Sequence, residues 1–88
     1  MDDMPEEVVW LRDWFARLGC RLPDRPEEIS ALNYFEAKLI DSLKVIELIT
    51  EIEDHFRIRF SEAHFQERRF STIGGLGALI GELRSGQG

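Results

Sequence analysis

The apolar residues that follow Asp41 and Ser42 recur with the period of an α-helix. Spacings of three and four residues place them on one face of a helix over residues 42–56. They are Val45, Leu48, Ile49, Ile52 and Phe56. Asp41 is the predicted N-cap, because its carboxylate can accept hydrogen bonds from the free N–H groups of the first turn. Ser42 is then the first helical residue.

The same helix carries further side chains outside its apolar face. On a wheel of about 100° per residue with Ser42 at zero, the core positions fall between about 240° and 340°. Leu43 lies near 100° and Ile46 near 40°, so both lie outside the core positions, beside Ser42. Between about 120° and 180° lies an acidic stripe that consists of Glu47, Glu51 and Asp54. We expect partners to recognise Leu43, Ile46 and this stripe.

The segment DSLKVIELITEIEDHF, residues 41–56, resembles the acyl carrier protein family, and the resemblance continues loosely through Phe60 and STIGGL. In that family an Asp-Ser-Leu tripeptide opens the second of four helices, and its serine carries a 4′-phosphopantetheine arm. The resemblance implies that the arm, supplied by coenzyme A, is attached to Ser42 between Asp41 and Leu43. It implies as partners a phosphopantetheinyl transferase and enzymes that load or transfer acyl or aminoacyl groups, with basic docking surfaces.

Two positions depart from the family pattern. Ile40 stands where the family often has a small residue, commonly Gly, and Lys44 stands where fatty-acid carriers commonly have an acid. The form Phe-Glu-x-x-Leu-Ile-Asp-Ser, residues 35–42, resembles stand-alone specialised or aminoacyl-type carriers more than the housekeeping fatty-acid protein. We predict an acyl carrier of fatty-acid, polyketide or related biosynthesis. The alternatives are an aminoacyl, D-alanyl or peptidyl-type carrier and an unmodified helical adaptor.

Composition narrows the class of protein. Eleven Lys and Arg against 17 Asp and Glu give a net charge of −6, which disfavours binding to nucleic acid or anionic membranes and favours basic partners. A single cysteine, Cys20, excludes an internal disulfide and a multi-cysteine zinc site. No apolar run reaches the roughly 18 residues of a membrane span, and the N-terminus is acidic. We expect a cytoplasmic monomer without a metal site.

The sequence does not predict an enzyme. A nucleophilic serine needs a base and an orienting acid, and the only histidines are His55 and His64. His55 is 13 residues beyond Ser42, which is about 20 Å along a continuous helix. The chain also lacks a Gly-x-Ser-x-Gly elbow. No catalytic triad is therefore predicted, and the resemblance implies instead that Ser42 is the substrate of a separate transferase.

Helical periods elsewhere predict a small all-α bundle of three long helices and one short one, in a single domain over 1–88. The helices are predicted at about 4–18, 42–56, 62–67 and 72–84, with a long loop over 19–40 that can form a short helical turn at 27–32. The glycines of the last helix could leave room for a guest chain beside helix 42–56, but we expect them to allow close approach of the two backbones. We also expect Phe35 and Leu39 to tuck under the start of that helix and Phe65 to face the core.

Overall fold

Five α-helices make up the fold. A computed structural model describes residues 4–86 of the 88-residue chain, so residues 1–3 and 87–88 of the predicted domain lie outside it. The helices are α1 (Glu6–Arg17), α2 (Pro26–Ala31), α3 (Ser42–Phe56), α4 (Glu62–Phe65) and α5 (Ile73–Arg84), with a 3₁₀ turn at Arg68–Ser71. The prediction of a small all-α fold with three long helices is confirmed.

The short elements differ from the prediction. The loop over 19–40 contains a complete short helix, α2, which Pro26 opens and which acidic residues in its first turn favour. The predicted helix over 62–67 ends at Phe65, and the chain then turns through the 3₁₀ segment into α5. The bundle therefore has two short helices rather than one.

All three long helices contribute to one core. Its largest fully buried side chains are Leu11, Phe15, Tyr34, Leu48, Ile52, Ile73, Leu76, Leu79 and Ile80. On α3 only the middle of the predicted apolar face is fully buried, at Leu48 and Ile52. The other three apolar positions of that face are partly buried and pack on the edge of the core: Val45, Ile49 and Phe56.

The glycines of α5 do allow close packing, but not against α3. A Cβ on Gly77 would lie 2.7 Å from Val8 Cγ2 of α1, and one on Gly74 would lie 2.7 Å from Ser30 Cβ of α2. A Cβ on Gly75 would lie 2.2 Å from the Arg69 carbonyl oxygen. The prediction that these glycines approach α3 was wrong. Helix α5 packs closely on α1, α2 and the 3₁₀ turn instead.

Candidate functional site

Ser42 is exposed at the first position of α3. Asp41 has extended backbone angles, and its carboxylate accepts a hydrogen bond of 2.9 Å from the N–H of Lys44, so it is the N-cap. Within residues 4–86 the Ser42 hydroxyl has no hydrogen-bond partner. Because Asp41 already caps the helix, the hydroxyl is free to react.

Buried contacts hold the loop that leads into Ser42. Tyr34 is fully buried and donates its phenolic hydrogen to the carbonyl of Phe70, and burial raises the pKa of this phenol. The N–H of Leu39 bonds to the Tyr34 carbonyl at 3.1 Å, and the Cys20 thiol lies 3.7 Å from the Leu39 oxygen. Ile40, which departs from the family pattern, is 9% exposed and anchors the chain directly before Asp41.

Phe35 does not take the predicted place beneath α3. It is 42% exposed and lies against Tyr34, with ring centroids 4.8 Å apart. Leu39 is partly buried, as expected for a residue that packs on the core. The prediction for Phe35 was wrong because its neighbour Tyr34 fills the interior position and leaves Phe35 on the outside.

Exposed apolar side chains follow Ser42 on α3, and α4 carries another. Leu43 is 73% exposed and Ile46 62% exposed, which agrees with their positions outside the apolar face of α3. Phe65 of α4 is 46% exposed, so the prediction that it faces the core was wrong. It packs on the edge of Phe70, with centroids 5.2 Å apart, while Phe60 and Phe70 occupy the interior. One turn of helix gives too short a pattern to show which face α4 buries.

A groove separates α3 from Phe65. It has a volume of about 330 Å³ and is lined by Val45, Ile46, Ile49, Thr50 and Phe65. It begins about one helical turn beyond Ser42. The sequence did not predict this groove, because the wheel of α3 alone does not show what lies opposite Ile46.

The acidic stripe is exposed, but two of its members already contact the chain. Glu47 forms an ion pair of 3.1 Å with Lys44. Glu51 accepts a hydrogen bond of 3.1 Å from the indole N–H of Trp14, which is 4% exposed. Asp54 is exposed beside a polar hollow that Arg59 also lines. The stripe is therefore less available to partners than its sequence pattern suggests.

Neither histidine is engaged with Ser42. The His55 ring stacks on Trp10, with centroids 5.3 Å apart, at the other end of α3. His64 Nδ1 accepts a hydrogen bond of 2.9 Å from the N–H of Ser61 and so caps α4. Among residues 4–86 no group of three or more acidic, Cys or His side chains could hold a metal ion. None of the helices described is long and apolar enough to cross a membrane.

The geometry at Ser42 suits attachment of a phosphodiester. The hydroxyl lies at the N-terminal end of a 15-residue helix, where the dipole and the first-turn N–H groups favour negative charge. The Lys44 ammonium lies on the same turn, although it is paired with Glu47. The Asp41 carboxylate opposes a second negative charge, but its own charge is stabilised by the Lys44 N–H.

Comparison with protein families agrees with this geometry. A family model described as a phosphopantetheine attachment site matches residues 13–80, a range that includes Ser42 and α2 to α4. No curated protein and no solved structure matches the chain. Proteins of this family carry covalently bound 4′-phosphopantetheine and are carriers rather than enzymes. The resemblance and the cofactor inferred from the sequence are thereby confirmed.

Proposed function

Because the chain belongs to the phosphopantetheine-attachment family, we propose that Ser42 is the residue that carries its arm. The observation that supports this most directly is the free, exposed hydroxyl at the start of α3. Three other described serines have hydroxyls bonded within the chain: Ser61 to His64, Ser71 to the Arg68 carbonyl and Ser85 to the Glu82 carbonyl. Ser42 differs from them because its hydroxyl is presented to solvent, and it differs from Ser30, which is half-buried in α2 against Gly74.

The modification itself is a phosphoryl transfer catalysed by a separate transferase. The Ser42 oxygen attacks the β-phosphorus of coenzyme A, the bond between the two phosphates breaks, and 3′,5′-ADP leaves. The serine proton passes to a base of the transferase, which also supplies Mg²⁺. This chain presents the hydroxyl on a capped helix end and stabilises the new phosphodiester by about 0.3–1 kcal/mol through the helix dipole.

The attached arm supplies a thiol on which cargo is held as a thioester. We propose that the cargo is an acyl group, delivered to enzymes of fatty-acid, polyketide or related biosynthesis in the cytoplasm. An aminoacyl or peptidyl cargo is the second candidate, favoured by the Lys44–Glu47 pair, because Lys44 stands where fatty-acid carriers commonly have an acid. The intact mass of protein purified from its own host distinguishes the two cargo classes.

Enzymes that act on the arm need a surface to bind. We propose that the transferase and the enzymes of loading and transfer contact the exposed side of α3, beginning beside Ser42. The residues that we assign to this recognition face are Leu43, Ile46, Glu47, Glu51 and Asp54. Basic groups on those enzymes would meet the acidic members of the face.

Modification in vitro tests the site. We expect coenzyme A, Mg²⁺ and a broad-specificity phosphopantetheinyl transferase to add one phosphopantetheine to the wild-type protein and none to Ser42→Ala. Ser61→Ala is the matched control and should be modified normally. A folded wild-type sample that gains no mass, or a gain that survives Ser42→Ala, would rule out this assignment.

A further inference from the structure

A histidine side chain caps the start of the short helix α4. The backbone N–H of Ser61, the residue before α4, donates a hydrogen bond of 2.9 Å to Nδ1 of His64. At this position a capping box usually has Glu or Gln, whose side-chain oxygen is the acceptor. An imidazole accepts only while its Nδ1 carries no proton, because both ring nitrogens of an imidazolium are donors. The cap of α4 therefore depends on the protonation state of one side chain.

Few other contacts hold α4 in place. The helix has four residues, and none of them is buried. A single turn of helix is unfavourable by itself, because nucleation fixes several residues for one hydrogen bond. Phe65, its largest apolar side chain, is 46% exposed and rests against Phe60 and Phe70, with ring centroids 6.0 and 5.2 Å apart. Helix α4 therefore relies on its cap more than a long, buried helix does.

The charged groups near His64 allow it to take up a proton. The pKa of Glu82 in α5 is lowered mainly by its hydrogen bond from Arg69, and a charge on His64 lowers it further. Arg69 also pairs with Glu67, so two carboxylates accompany one guanidinium. Glu62 adds a third acid on α4 itself. Net positive charge does not oppose an imidazolium here, and histidine is the side chain that ordinarily changes charge between pH 5 and 8.

We propose that His64 is a pH-dependent latch for α4: the neutral ring holds the helix in place, and a proton on Nδ1 releases it. A protonated Nδ1 can still donate to the Ser61 hydroxyl, which lies 3.0 Å away, but the Ser61 N–H loses its acceptor. Phe65, the next residue, forms the α4 side of the groove of about 330 Å³ along α3. Acidification therefore loosens one wall of that groove, whichever serine carries the arm.

NMR spectra of the full-length protein between about pH 8 and pH 5 test the latch. At the upper end, the imidazole nitrogen shifts of His64 should show a proton on Nε2 and none on Nδ1, because Nδ1 is the acceptor. As the ring takes up its second proton, the Ser61 amide proton should move upfield. The helical ¹³Cα shifts of residues 62–65 should decrease with the same midpoint. Loss of a cap of ordinary strength should raise the ratio of open to closed α4 about fivefold.

Three variants isolate the effect of the ring nitrogen. His64→Gln keeps an acceptor that does not titrate, so the Ser61 and α4 shifts should stay constant over the whole pH range. His64→Ala removes the acceptor and should show the open α4, about fivefold more populated than in neutral wild type, at both ends of the range. His55→Gln is the matched control. It removes the other histidine of the chain, which stacks on Trp10, and should keep the wild-type pH response.

The opposite results would overturn the proposal. A proton on Nδ1 of neutral His64 would exclude the hydrogen bond from Ser61. Shifts of Ser61 and α4 that do not follow the His64 midpoint, or that change equally in His64→Gln, would show that the cap does not depend on this side chain. Loss of the response in His55→Gln would assign it to the contact with Trp10. If His64→Ala does not fold, the comparison of wild type with His64→Gln decides alone.

Discussion

Helices α3 and α5 are held in the fold in different ways. Helix α5 has buried residues along most of its length, and Gly74, Gly75 and Gly77 let neighbouring backbone and side chains approach closely. Helix α3 is fully buried only at Leu48 and Ile52, and its opposite side stays open. In a domain of this size, close packing around α5 provides much of the core, so that α3 can keep a free side around Ser42.

The far end of α3 shows how an open helix is still fixed in place. Trp10 of α1 lies against His55 and Phe56, with centroids 5.3 and 5.5 Å apart. The Arg84 guanidinium lies 5.0 Å from the centre of the Phe56 ring and pairs with Glu7 at 2.9 Å. The C-terminal end of α3 is therefore clamped to both α1 and α5, while its N-terminal end presents Ser42.

The two sides of α3 can be compared with one chemical change. Leu48 is fully buried and Leu43 is 73% exposed, so Leu48→Ala should lower the free energy of unfolding by about 2–5 kcal/mol and Leu43→Ala by less than about 0.5 kcal/mol. Leu43→Ala should instead slow modification of Ser42. Urea denaturation measures the first effect and transferase kinetics the second. Equal losses of stability for the two variants would contradict the burial of Leu48 and the exposure of Leu43, and so the orientation of α3 about its axis.

The same contrast revises an expectation about Phe56. Its apolar spacing predicts full burial, and with it a loss of about 3–5 kcal/mol for Phe56→Ala. Phe56 is only partly buried at the edge of the core, so its truncation should be milder than that of Leu48. A helical period shows which face is apolar, but it does not show where along that face the neighbouring helices end.

Two glycine substitutions, one at a closely packed position and one at an open position, test the packing of α5. Gly75→Ala would bring a Cβ to 2.2 Å from the Arg69 carbonyl oxygen, and we expect a loss of about 1–3 kcal/mol or more, as for other overpacked sites. Gly81→Ala places its Cβ at an ordinary distance of 3.6 Å from Glu7 Oε2 and should gain up to about 1 kcal/mol from helix propensity. Thermal melts of the two variants check this. A destabilising Gly81→Ala would mean that α5 is packed more tightly than described.

The hydrogen bond from Trp14 of α1 to Glu51 of α3 distinguishes Glu51 from the other members of the acidic stripe. Glu51→Ala removes the acceptor of the buried Trp14 N–H and should cost about 1 kcal/mol, whereas Glu51→Gln keeps an acceptor and should cost less. Glu47→Ala breaks only an exposed pair and should change stability by less than about 0.5 kcal/mol. Chemical denaturation of the three variants ranks them. A Glu47→Ala variant that is the least stable would contradict the assignment of Glu51 as the internal acceptor.

Much of α3 and its site could be predicted from sequence. A helical period sustained over fifteen residues indicates the apolar face of α3, and Asp41 before Ser42 marks its start. The exposed positions of Leu43 and Ile46 follow from these two signals. The stretches around it carry weaker signals. Phe35 and Phe65 are as apolar as Tyr34 and Phe70, yet the latter two are buried. Long-range contacts such as the Tyr34 bond to Phe70 decide between them, and no local period encodes that choice.

The smallest effect concerns an exposed ion pair beside α5. Arg69 lies 2.6 Å from Glu82, and this hydrogen bond lowers the pKa of Glu82 from its ordinary value of 4.5. A lowered carboxyl pKa stabilises the fold above the ordinary value, and that contribution is lost as the pH falls through the lowered pKa. Glu82→Gln should therefore flatten the decline in melting temperature on acidification below pH 4.5. Because both groups are exposed, added salt should shrink the difference.

The central claim, that Ser42 carries the arm, is tested most directly on protein from its own host. Trypsin cleaves after Lys38 and Lys44 and releases the peptide of residues 39–44, in which Ser42 is the only hydroxyl-bearing residue. Tandem mass spectrometry of that peptide should show the mass of one phosphopantetheine, with or without cargo, localised to Ser42. A fully unmodified peptide 39–44, together with the same added mass on another peptide, would contradict the account.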